Sequence, residues 1–358
     1  MFSRQWFHPS HYIGVSQSSL LFEEQLNRQN FVEAEHTIMR EYSSDRVYWK
    51  RQMRRLYKLL DHSALLSRDP SYPLSISFID FWHDMDTANC QLLDILKLCL
   101  PERNITVINN PQEADLIFSS CYGHLSSNIL LNSSSKNILF LGENVRPSYY
   151  DFDLSLSFDS DSYLGRNIQL PLWMLELDWF GKQYKDRLCY PKNSITTPFH
   201  SRSKDRQKKI CFVGNNMEPY RASIISCLQS QGAIVDLYGS HFNHVTDKIK
   251  LYSSYHIVFC PENSLHNGYV TEKFIHGFLS GAYFAYSGLF SDSIFNDIPS
   301  LINITGLDAF CASKLILSYL DYPLPATIPS LIDVDILDLK WNNIISSMRS
   351  SLSQFLPG

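Results

Sequence analysis

The sequence predicts an α/β protein with two doubly wound, Rossmann-like domains in tandem. Three observations indicate this class: the chain has 358 residues, short apolar runs alternate with helical stretches, and a polar, basic segment interrupts the alternation once. At about 150 residues per domain, this length fits two domains and an appendage. Strands that alternate with helices indicate parallel sheets, whose ligands bind at the carboxyl ends of the strands. We therefore expect the two domains to face each other across a cleft.

Composition narrows the classes of function. Hydrophobic residues make up 44% of the chain and charged residues 19%, which excludes bulk disorder. The formal charge of -5 is too small to direct the whole molecule onto nucleic acid. No apolar run is long enough for a membrane-spanning helix, and the first ten residues lack a signal-peptide core. The sequence therefore predicts a soluble, cytoplasmic protein that binds no nucleic acid.

Residues 1–70 are predicted to form a helical N-terminal extension, because their apolar residues recur with helical spacing from about Leu20 to Leu66. Within it, six Lys and Arg residues between positions 46 and 58 have no acidic residue among them. The apolar stripe of this basic helix consists of Trp49, Met53, Leu56 and Leu60. We favour packing of the stripe on the body of the protein. The alternative is a peripheral contact with an anionic membrane at its inner face, or self-association.

The first Rossmann-like domain is predicted over residues 71–182. A strand from Leu74 to Trp82 precedes a helix from Thr87 to Leu100. Four later runs have the length of strands: Ile105–Ile108, Ala114–Phe118, Lys136–Leu141 and Phe152–Phe158. Residues 183–209 are predicted to be the linker, because prolines and basic residues break the apolar pattern there.

The second domain is predicted over residues 210–330. Its predicted strands are Ile210–Gly214, Ala233–Tyr238, His256–Cys260 and Ala282–Tyr286. The predicted helices between them are Tyr220–Gln231, Val245–Ser254 and Thr271–Leu279. Beyond Leu307 the pattern is helical, and residues 331–358 are predicted to form a C-terminal helical tail.

The densest group of functional residue types lies where the third strand of the second domain leads into a helix. A polar loop from Pro261 reaches a helix that begins near Thr271, so free amides and the positive end of the helix dipole are available to an anion. Lys273 in the first helical turn is normally unfavourable, which indicates a bound phosphate. Glu272 can accept two hydrogen bonds from a ribose. The alternative is that Glu272 complements the dipole and Lys273 points to solvent.

Two further charged residues occupy positions at sheet edges. Arg221 opens the helix after the first strand of the second domain, where its fork of donors suits a phosphate; the alternative is a surface arginine. Glu143 follows the strand Lys136–Leu141 and a glycine, which makes it a candidate general base. The alternative is a turn residue that pairs with Arg146.

No metal site is predicted. The eight cysteines include no C-x-x-C pair and have no histidine at metal-ligand spacing. Three histidines lie near the segments described above and are interpreted as structural: His83, His266 and His276.

Several ordered motifs carry a resemblance to a known family. Glu262-Asn263-Ser264 followed by Gly268-Tyr269-Val270-Thr271-Glu272-Lys273 is similar to the signature F-E-N-S-x-x-x-x-Y-V-T-E-K. Leu141-Gly142-Glu143-Asn144-Val145-Arg146-Pro147, Pro171-Leu172-Trp173 and Asp236-Leu237-Tyr238-Gly239 also match in order. The chain thus resembles the inverting, GDP-fucose-dependent α1,3/1,4-fucosyltransferases, especially their bacterial members. It departs from them at Pro261, where the family has Phe, and at Phe284, where the family has Pro.

The resemblance implies a GT-B-like architecture with the acceptor domain first and the donor domain second. It implies transfer of L-fucose from GDP-β-L-fucose to a hydroxyl of a GlcNAc or glucose unit, with inversion, in an oligosaccharide or lipid-linked glycan. GDP-fucose is then a substrate, and no cofactor or metal is expected. Two alternatives stay open: a transferase of the same fold that uses another GDP-sugar, and a non-catalytic glycan-binding relative.

The resemblance also implies roles for individual residues. Glu143 is the base, and fixed cations stabilise the charge that grows on the leaving diphosphate. The residues matched to the donor are Arg221 and Lys273 for the diphosphate, Tyr269 and Glu272 for the nucleotide, and Glu262 and Asn263 for the shape of the pocket.

Overall fold

The structure is a computed structural model of the chain. It describes residues 17–56 with gaps at 29, 43, 47, 50–51 and 54–55, residues 72–354 with gaps at 124–134, 146–151, 164, 186, 202–205, 240–241, 243–244 and 292, and residue 356. Two compact units are present. The first contains Met1–Leu170, Tyr184–Asp186 and Asn342–Gly358, and the second contains Pro171–Gln183 and Arg187–Trp341. Each unit is built on a parallel sheet, which confirms the predicted α/β class with two Rossmann-like domains.

The N-terminal extension contains α1 (Gln17–Asn27) and α2 (Phe31–Glu41). Of the basic segment, the described residues at 46, 48, 49, 52, 53 and 56 are helical. Trp49 and Leu56 are buried in one apolar cluster with Phe22 of α1 and Ile38 of α2, and Met53 packs against this cluster. These three residues of the stripe are therefore covered by α1 and α2 of the extension itself, whereas the sequence predicted packing on the body of the protein. Leu60 lies outside the described residues.

The first unit contains a six-stranded parallel sheet in the order β2-β1-β3-β4-β5-β6. Its strands are β1 (Leu74–Ile79), β2 (Ile105–Val107), β3 (Leu116–Ser119), β4 (Lys136–Phe140), β5 (Leu154–Ser157) and β6 (Asn167–Gln169), with α3 (Gln91–Cys99) after β1. Strand β1 ends before the predicted Trp82, because Asp80 adopts a left-handed φ of 60° that extended backbone does not allow. The carboxyl ends of the strands share one edge of the sheet.

The segment from residue 171 to residue 201 belongs to the second unit, apart from 184–186. It consists of a 3₁₀ helix (Leu172–Glu176), β7 (Leu177–Asp178), β8 (Tyr190–Pro191), α4 (Asn193–Thr196) and β9 (Phe199–His200). The described part of the predicted linker at 183–209 therefore contains regular elements. Ser201 Oγ donates to the Gly281 carbonyl at 2.9 Å, and Arg206 donates to the Ser280 carbonyl at 2.8 Å. Hydrogen bonds to later elements thus attach Ser201, at the end of this segment, and Arg206 of the predicted linker to the second unit, whose first residue is Pro171.

The second unit contains a five-stranded parallel sheet in the order β11-β10-β12-β13-β14. The strands are β10 (Gln207–Val213), β11 (Val235–Tyr238), β12 (Tyr255–Phe259), β13 (Tyr283–Tyr286) and β14 (Leu301–Asn303). The helices are α5 (Pro219–Ser230), α6 (Lys248–Tyr252), α7 (Glu272–Leu279) and α8 (Ala309–Ser318). Apolar side chains from the sheet, α5 and α8 form one buried core that includes Phe212, Ile224, Ile257 and Ile316. The loops at the carboxyl ends of these strands therefore extend from a packed core.

The C-terminal region is not helical throughout. Strand β15 (Thr327–Ile328) pairs antiparallel with β9, and α9 (Val334–Ser353) follows it. The residues of α9 up to Trp341 belong to the second unit, and those from Asn342 belong to the first. Among the helices of the described residues, none is both long enough and apolar enough to cross a membrane.

Candidate functional site

The candidate site of the second unit lies in the loop between β12 and α7. The loop begins at the end of a fully buried strand and makes a turn at Gly268, whose φ of 83° favours glycine. It ends at Thr271, which is the N-cap of α7 and accepts a hydrogen bond from the Lys273 backbone N–H. The sequence-predicted helix start is thus correct to one residue, and the loop is anchored at both ends.

Glu262 is a buried carboxylate within this loop. Its Oε1 accepts hydrogen bonds from the Thr271 backbone N–H at 2.8 Å and from the Tyr286 hydroxyl at 2.9 Å. Its Oε2 accepts from the Thr271 hydroxyl at 2.8 Å and lies 3.3 Å from Lys273 Nζ. Four donors therefore hold Glu262, so its position joins the loop, β13 and the start of α7.

Lys273 lies among carboxylates instead of pointing to solvent. Its Nζ is 3.1 Å from Glu272 Oε1 and 3.3 Å from Glu262 Oε2, and it donates to the Thr271 hydroxyl at 3.0 Å. Burial lowers the pKa of Lys273, but the charges of Glu262 and Glu272 raise it by more, so the net pKa is above the ordinary value. The alternative of a solvated Lys273 is wrong, and a full positive charge is fixed at the N-terminus of α7.

Glu272 is the acidic member of the same helical turn. Burial raises its pKa, but the positive charges of Lys273, Lys248 and His276 and a hydrogen bond from Thr271 lower it by more. The net effect holds the pKa of Glu272 well below its usual range. Its carboxylate is therefore ionised near neutrality and can act only as a hydrogen-bond acceptor.

Arg221 is buried at the start of α5, with 3% of its surface exposed. One terminal nitrogen donates to the Asn216 carbonyl at 3.0 Å, and the other donates to the Pro261 carbonyl. Its Nε has no hydrogen-bond partner. Burial lowers the pKa of Arg221, while the charges of Glu262 and Glu218 oppose that change. The alternative of a surface arginine is wrong: this guanidinium contacts the same loop that carries Glu262.

These features fit an anionic ligand. A buried N–H donor without a partner is costly, and an ionised oxygen is its strongest acceptor. Arg221 lies close enough to Lys273 for its charge to lower the pKa of that lysine, so two cations meet near the N-terminus of α7. Helix N-termini and basic side chains together are a common arrangement for phosphate binding.

Tyr269 and Asn263 are the other two residues predicted to bind the donor. Tyr269 is 1% exposed, and its backbone N–H donates to the His266 carbonyl at 3.0 Å. Burial lowers the pKa of Arg221, and Tyr269 is one of the groups whose charges oppose that change, after Glu262, Glu218 and Glu272. Asn263 is half-buried on the loop next to Glu262. The structure thus brings Arg221, Tyr269, Glu262 and Lys273 together.

Glu143 belongs to the first unit and lies at the carboxyl end of β4. The Leu141 N–H still donates to the Leu156 carbonyl of the neighbouring strand, and Glu143 is half-buried two residues later, where a turn begins. Burial, and then the charge of Glu143, raise the pKa of the Cys121 thiol to about 11. The carboxylate therefore lies beside the end of β3, at the sheet edge. Arg146, its suggested partner in the alternative, lies outside the described residues.

Sequence reasoning missed two acidic residues near these sites. Asp80 follows β1 as Glu143 follows β4, and it is buried at the same edge of the first sheet. Its position directly after an apolar strand was the available signal. Glu176 ends the 3₁₀ helix and pairs with His276, a histidine interpreted as structural. Within the described ranges, no group of three His, Cys, Asp or Glu side chains is assembled to hold a metal.

Comparison with known proteins places these residues within matched segments. Residues 76–176 match the model of the α-(1,3)-fucosyltransferase FucT N-terminal domain, and residues 203–283 match the C-terminal model of glycosyltransferase family 10 (fucosyltransferase). Together they cover about half of the chain. Glu143 lies in the first match, and the residues around Arg221 and Lys273 lie in the second.

Three individual proteins that the chain resembles are between 22% and 28% identical to it. The chain is 27% identical over 270 residues to "Alpha-(1,3)-fucosyltransferase FucT" of Helicobacter pylori, covering 67% of this chain and 55% of that protein. It is 28% identical over 153 residues to "4-galactosyl-N-acetylglucosaminide 3-alpha-L-fucosyltransferase 9" of Bos taurus, covering 42% of this chain and 37% of that protein. A crystal structure of an α1,3-fucosyltransferase is 22% identical, with a TM-score of 0.48 over 78% of this chain and 92% of that one. The chain thus spans about half the length of the first relative and less of the second.

Proposed function

The chain belongs to glycosyltransferase family 10, the fucosyltransferases, and from this premise we propose that it transfers L-fucose from GDP-β-L-fucose to a glycan. The acceptor is a hydroxyl of a GlcNAc or glucose unit in an oligosaccharide or lipid-linked glycan. The product is an α1,3 or α1,4 linkage formed with inversion at the anomeric carbon.

One observation carries the proposal: buried Arg221 has an unpartnered Nε and donates through another nitrogen to the Pro261 carbonyl. The next residue of that loop, Glu262, lies 3.3 Å from Lys273 Nζ at the N-terminus of α7. A diphosphate supplies several ionised oxygens to such donors. In the proposed reaction, the bond between the anomeric carbon and the GDP oxygen breaks, and its electron pair passes to the diphosphate. Preorganised cations stabilise that charge as it develops.

The remaining residues receive roles consistent with their placement. The ionised Glu272 accepts hydrogen bonds from the ribose hydroxyls. Tyr269 is buried and contributes to the surroundings of Arg221. Asn263 is the loop residue that contacts the fucosyl group. Glu262 holds the loop in place and does not take part in proton transfer, because four donors already hold its oxygens.

Glu143 is proposed as the general base. It takes the proton of the acceptor hydroxyl as that oxygen forms its bond to the anomeric carbon. Inversion in one displacement requires the base and the leaving group on opposite faces of this carbon. Glu143 belongs to the first unit, and Arg221 and Lys273 belong to the second. The proposed base and the proposed leaving-group site therefore do not share one sheet edge.

The second candidate function, transfer from another GDP-sugar, rested on the departures from the family pattern. Phe284 is fully buried in β13 and packs against Gly277 of α7, where the absence of a side chain makes room for its ring. Pro261 contributes its carbonyl oxygen to Arg221. Both departures are thus accommodated within the protein, which favours the fucosyl donor. A non-catalytic glycan-binding relative would need neither the base nor the buried cations.

A donor panel tests the proposal. Transfer to a GlcNAc-containing oligosaccharide, and hydrolysis without acceptor, are measured with GDP-fucose, GDP-mannose and UDP-sugars. We expect turnover with GDP-fucose and at most trace turnover with the others. Preferential use of GDP-mannose would support the second candidate, and absence of turnover despite glycan binding would support the third.

A further inference from the structure

The 3₁₀ helix Leu172–Glu176 is attached to the signature loop and to α7 at two points. The Trp173 backbone N–H donates to the Val270 carbonyl at 3.1 Å, immediately before the N-cap Thr271. Glu176 Oε2 lies 3.3 Å from His276 Nε2, in the middle of α7. The first attachment precedes Glu272 and the second follows it by one turn, so this segment fixes the position of the donor-binding turn from both sides.

The Glu176–His276 pair is a buried ion pair when the imidazole is protonated. Glu176 is 7% exposed and His276 is 8% exposed. The other oxygen of Glu176 lies 3.3 Å from an Arg187 guanidinium nitrogen. A buried carboxylate depends on its charged partners, because removal of one leaves part of its charge uncompensated. The charge state of His276 therefore affects how firmly Glu176 is held.

His276 also acts on Glu272. The two residues are four positions apart on α7, so they lie on the same face of the helix. Burial raises the pKa of Glu272, and the charges of Lys273, Lys248 and then His276 lower it by more. A protonated imidazole at this place therefore attracts two carboxylates, one on the 3₁₀ helix and one at the proposed ribose contact.

Other charged groups near His276 come from each element around it. The ring of Tyr190 on β8 meets the imidazole edge-on at 5.7 Å, and burial followed by Glu176 raises the pKa of Tyr190, so its hydroxyl stays neutral near neutrality. Further charged or titratable groups act on the residues that His276 contacts or influences: Arg187 on Glu176, Asp247 and Cys189 on Tyr190, and Lys248 and Lys273 on Glu272. Among these side-chain types, histidine is the one whose reference pKa lies between about pH 6 and pH 8.

We propose that His276 is a positioning residue for the donor substrate: its protonated imidazole joins Glu176 to the face of α7 that carries Glu272, and donor affinity falls when it loses its proton. The inference rests on the proposed function, since it takes the N-terminal turn of α7 as the donor site. It adds a pH dependence that neither the diphosphate contacts nor the base accounts for. The sign follows from charge: protonation stabilises the donor-binding arrangement, so affinity is highest at low pH.

The test measures GDP-fucose affinity by calorimetry between about pH 6 and about pH 8.5, without acceptor. GDP-fucose is the suitable probe because both of its phosphates are esterified, whereas free GDP has a phosphate ionisation near pH 6. The variants are His276→Gln, whose amide reaches Glu176 without a charge, and Glu176→Gln. The matched control is His256→Gln: His256 is also 8% exposed in the same unit, but its Nε2 lies 3.1 and 3.0 Å from the Tyr319 and Tyr322 carbonyls.

We expect the Kd of the parent to rise roughly fivefold or more across this range. His276→Gln should bind at the weak, high-pH level throughout, with a flat profile, and Glu176→Gln should flatten the profile as well. His256→Gln should retain the profile of the parent. In steady-state assays the donor KM should follow the Kd, while kcat stays within about twofold, since the base lies on another unit.

Two results would overturn the inference. A parental pH profile in folded His276→Gln or in Glu176→Gln would show that the pair does not act on the donor site, while the proposed function would stand. No binding of GDP-fucose by the parent would overturn the proposed function and this inference together.

Discussion

At the scale of single residues, the two cations of the candidate site are fixed by hydrogen bonds and ion pairs. Arg221 donates from two of its three nitrogens to backbone carbonyls of two different loops. Lys273 forms ion pairs with two carboxylates. A guanidinium and an ammonium fixed in this way lose little freedom when a ligand binds. The cations are therefore preorganised, which is the condition for electrostatic stabilisation of a leaving group.

Loss of either cation should weaken nucleotide binding. Arg221→Gln and Lys273→Gln each remove a charge-assisted phosphate contact of about 1.5–3 kcal/mol. We expect the Kd for GDP, measured by calorimetry, to rise about tenfold or more in each variant. Lys208→Gln is the control, because Lys208 is exposed and pairs with Asp321 in the same unit. Parental GDP affinity in both folded variants would contradict the diphosphate assignment.

Replacement of the proposed base should separate turnover from binding. Glu143→Gln keeps the shape and hydrogen bonding of the side chain but cannot accept the proton of the acceptor hydroxyl. General-base loss costs about 10²–10⁴-fold in rate, so kcat should fall by that factor while GDP-fucose affinity stays nearly unchanged. Glu102→Gln, at an exposed position of the same unit, is the control. If Glu143→Gln transfers fucose within a few-fold of the parent, the base is another residue.

At the scale of elements, α7 determines the geometry of the proposed donor site. Its N-cap Thr271 is fixed by Glu262, and its buried face includes Phe274 and Gly277. A Cβ at Gly277 would lie 2.6 Å from the ring of Phe284 on β13 and 3.0 Å from Cys260 Sγ. The helix thus approaches the sheet closely because this residue has no side chain, and the bulky Phe284 depends on that space.

Gly277→Ala should therefore destabilise the protein, although alanine favours a helix by about 1 kcal/mol over glycine. Overpacking against the Phe284 ring costs about 1–3 kcal/mol, so we expect a net loss of unfolding free energy in urea titrations. Phe284→Leu in the Gly277→Ala background should recover part of that loss, which a double-mutant cycle measures. A Gly277→Ala protein as stable as the parent would show that α7 can move away from β13.

At the scale of the whole molecule, the formal charge is -5, but positive charge is concentrated near the N-terminus of α7. Arg221, Lys273 and Lys248 all act electrostatically on Glu272 or its surroundings. In the proposed function, Arg221 and Lys273 supply the positive charge that the leaving diphosphate requires, so fucosyl transfer is predicted to be independent of added metal. We expect activity in excess EDTA to remain within about twofold of the activity without it. A loss that manganese or magnesium restores would contradict this prediction.

The longer strands and helices of both units, and the helix that opens near Thr271, could be predicted from the sequence because they depend on local spacing and capping. Short strands such as β6, β14 and β15 were not predicted, because two or three residues carry too little periodic pattern. The residue types of the candidate site were also recognisable from their motifs. Only the tertiary structure determined that Arg221 reaches Pro261, that Tyr286 holds Glu262, and that a residue of the 3₁₀ helix pairs with α7. These contacts join residues far apart in the chain, so their geometry depends on how the sheet and helices pack, and no local pattern encodes it.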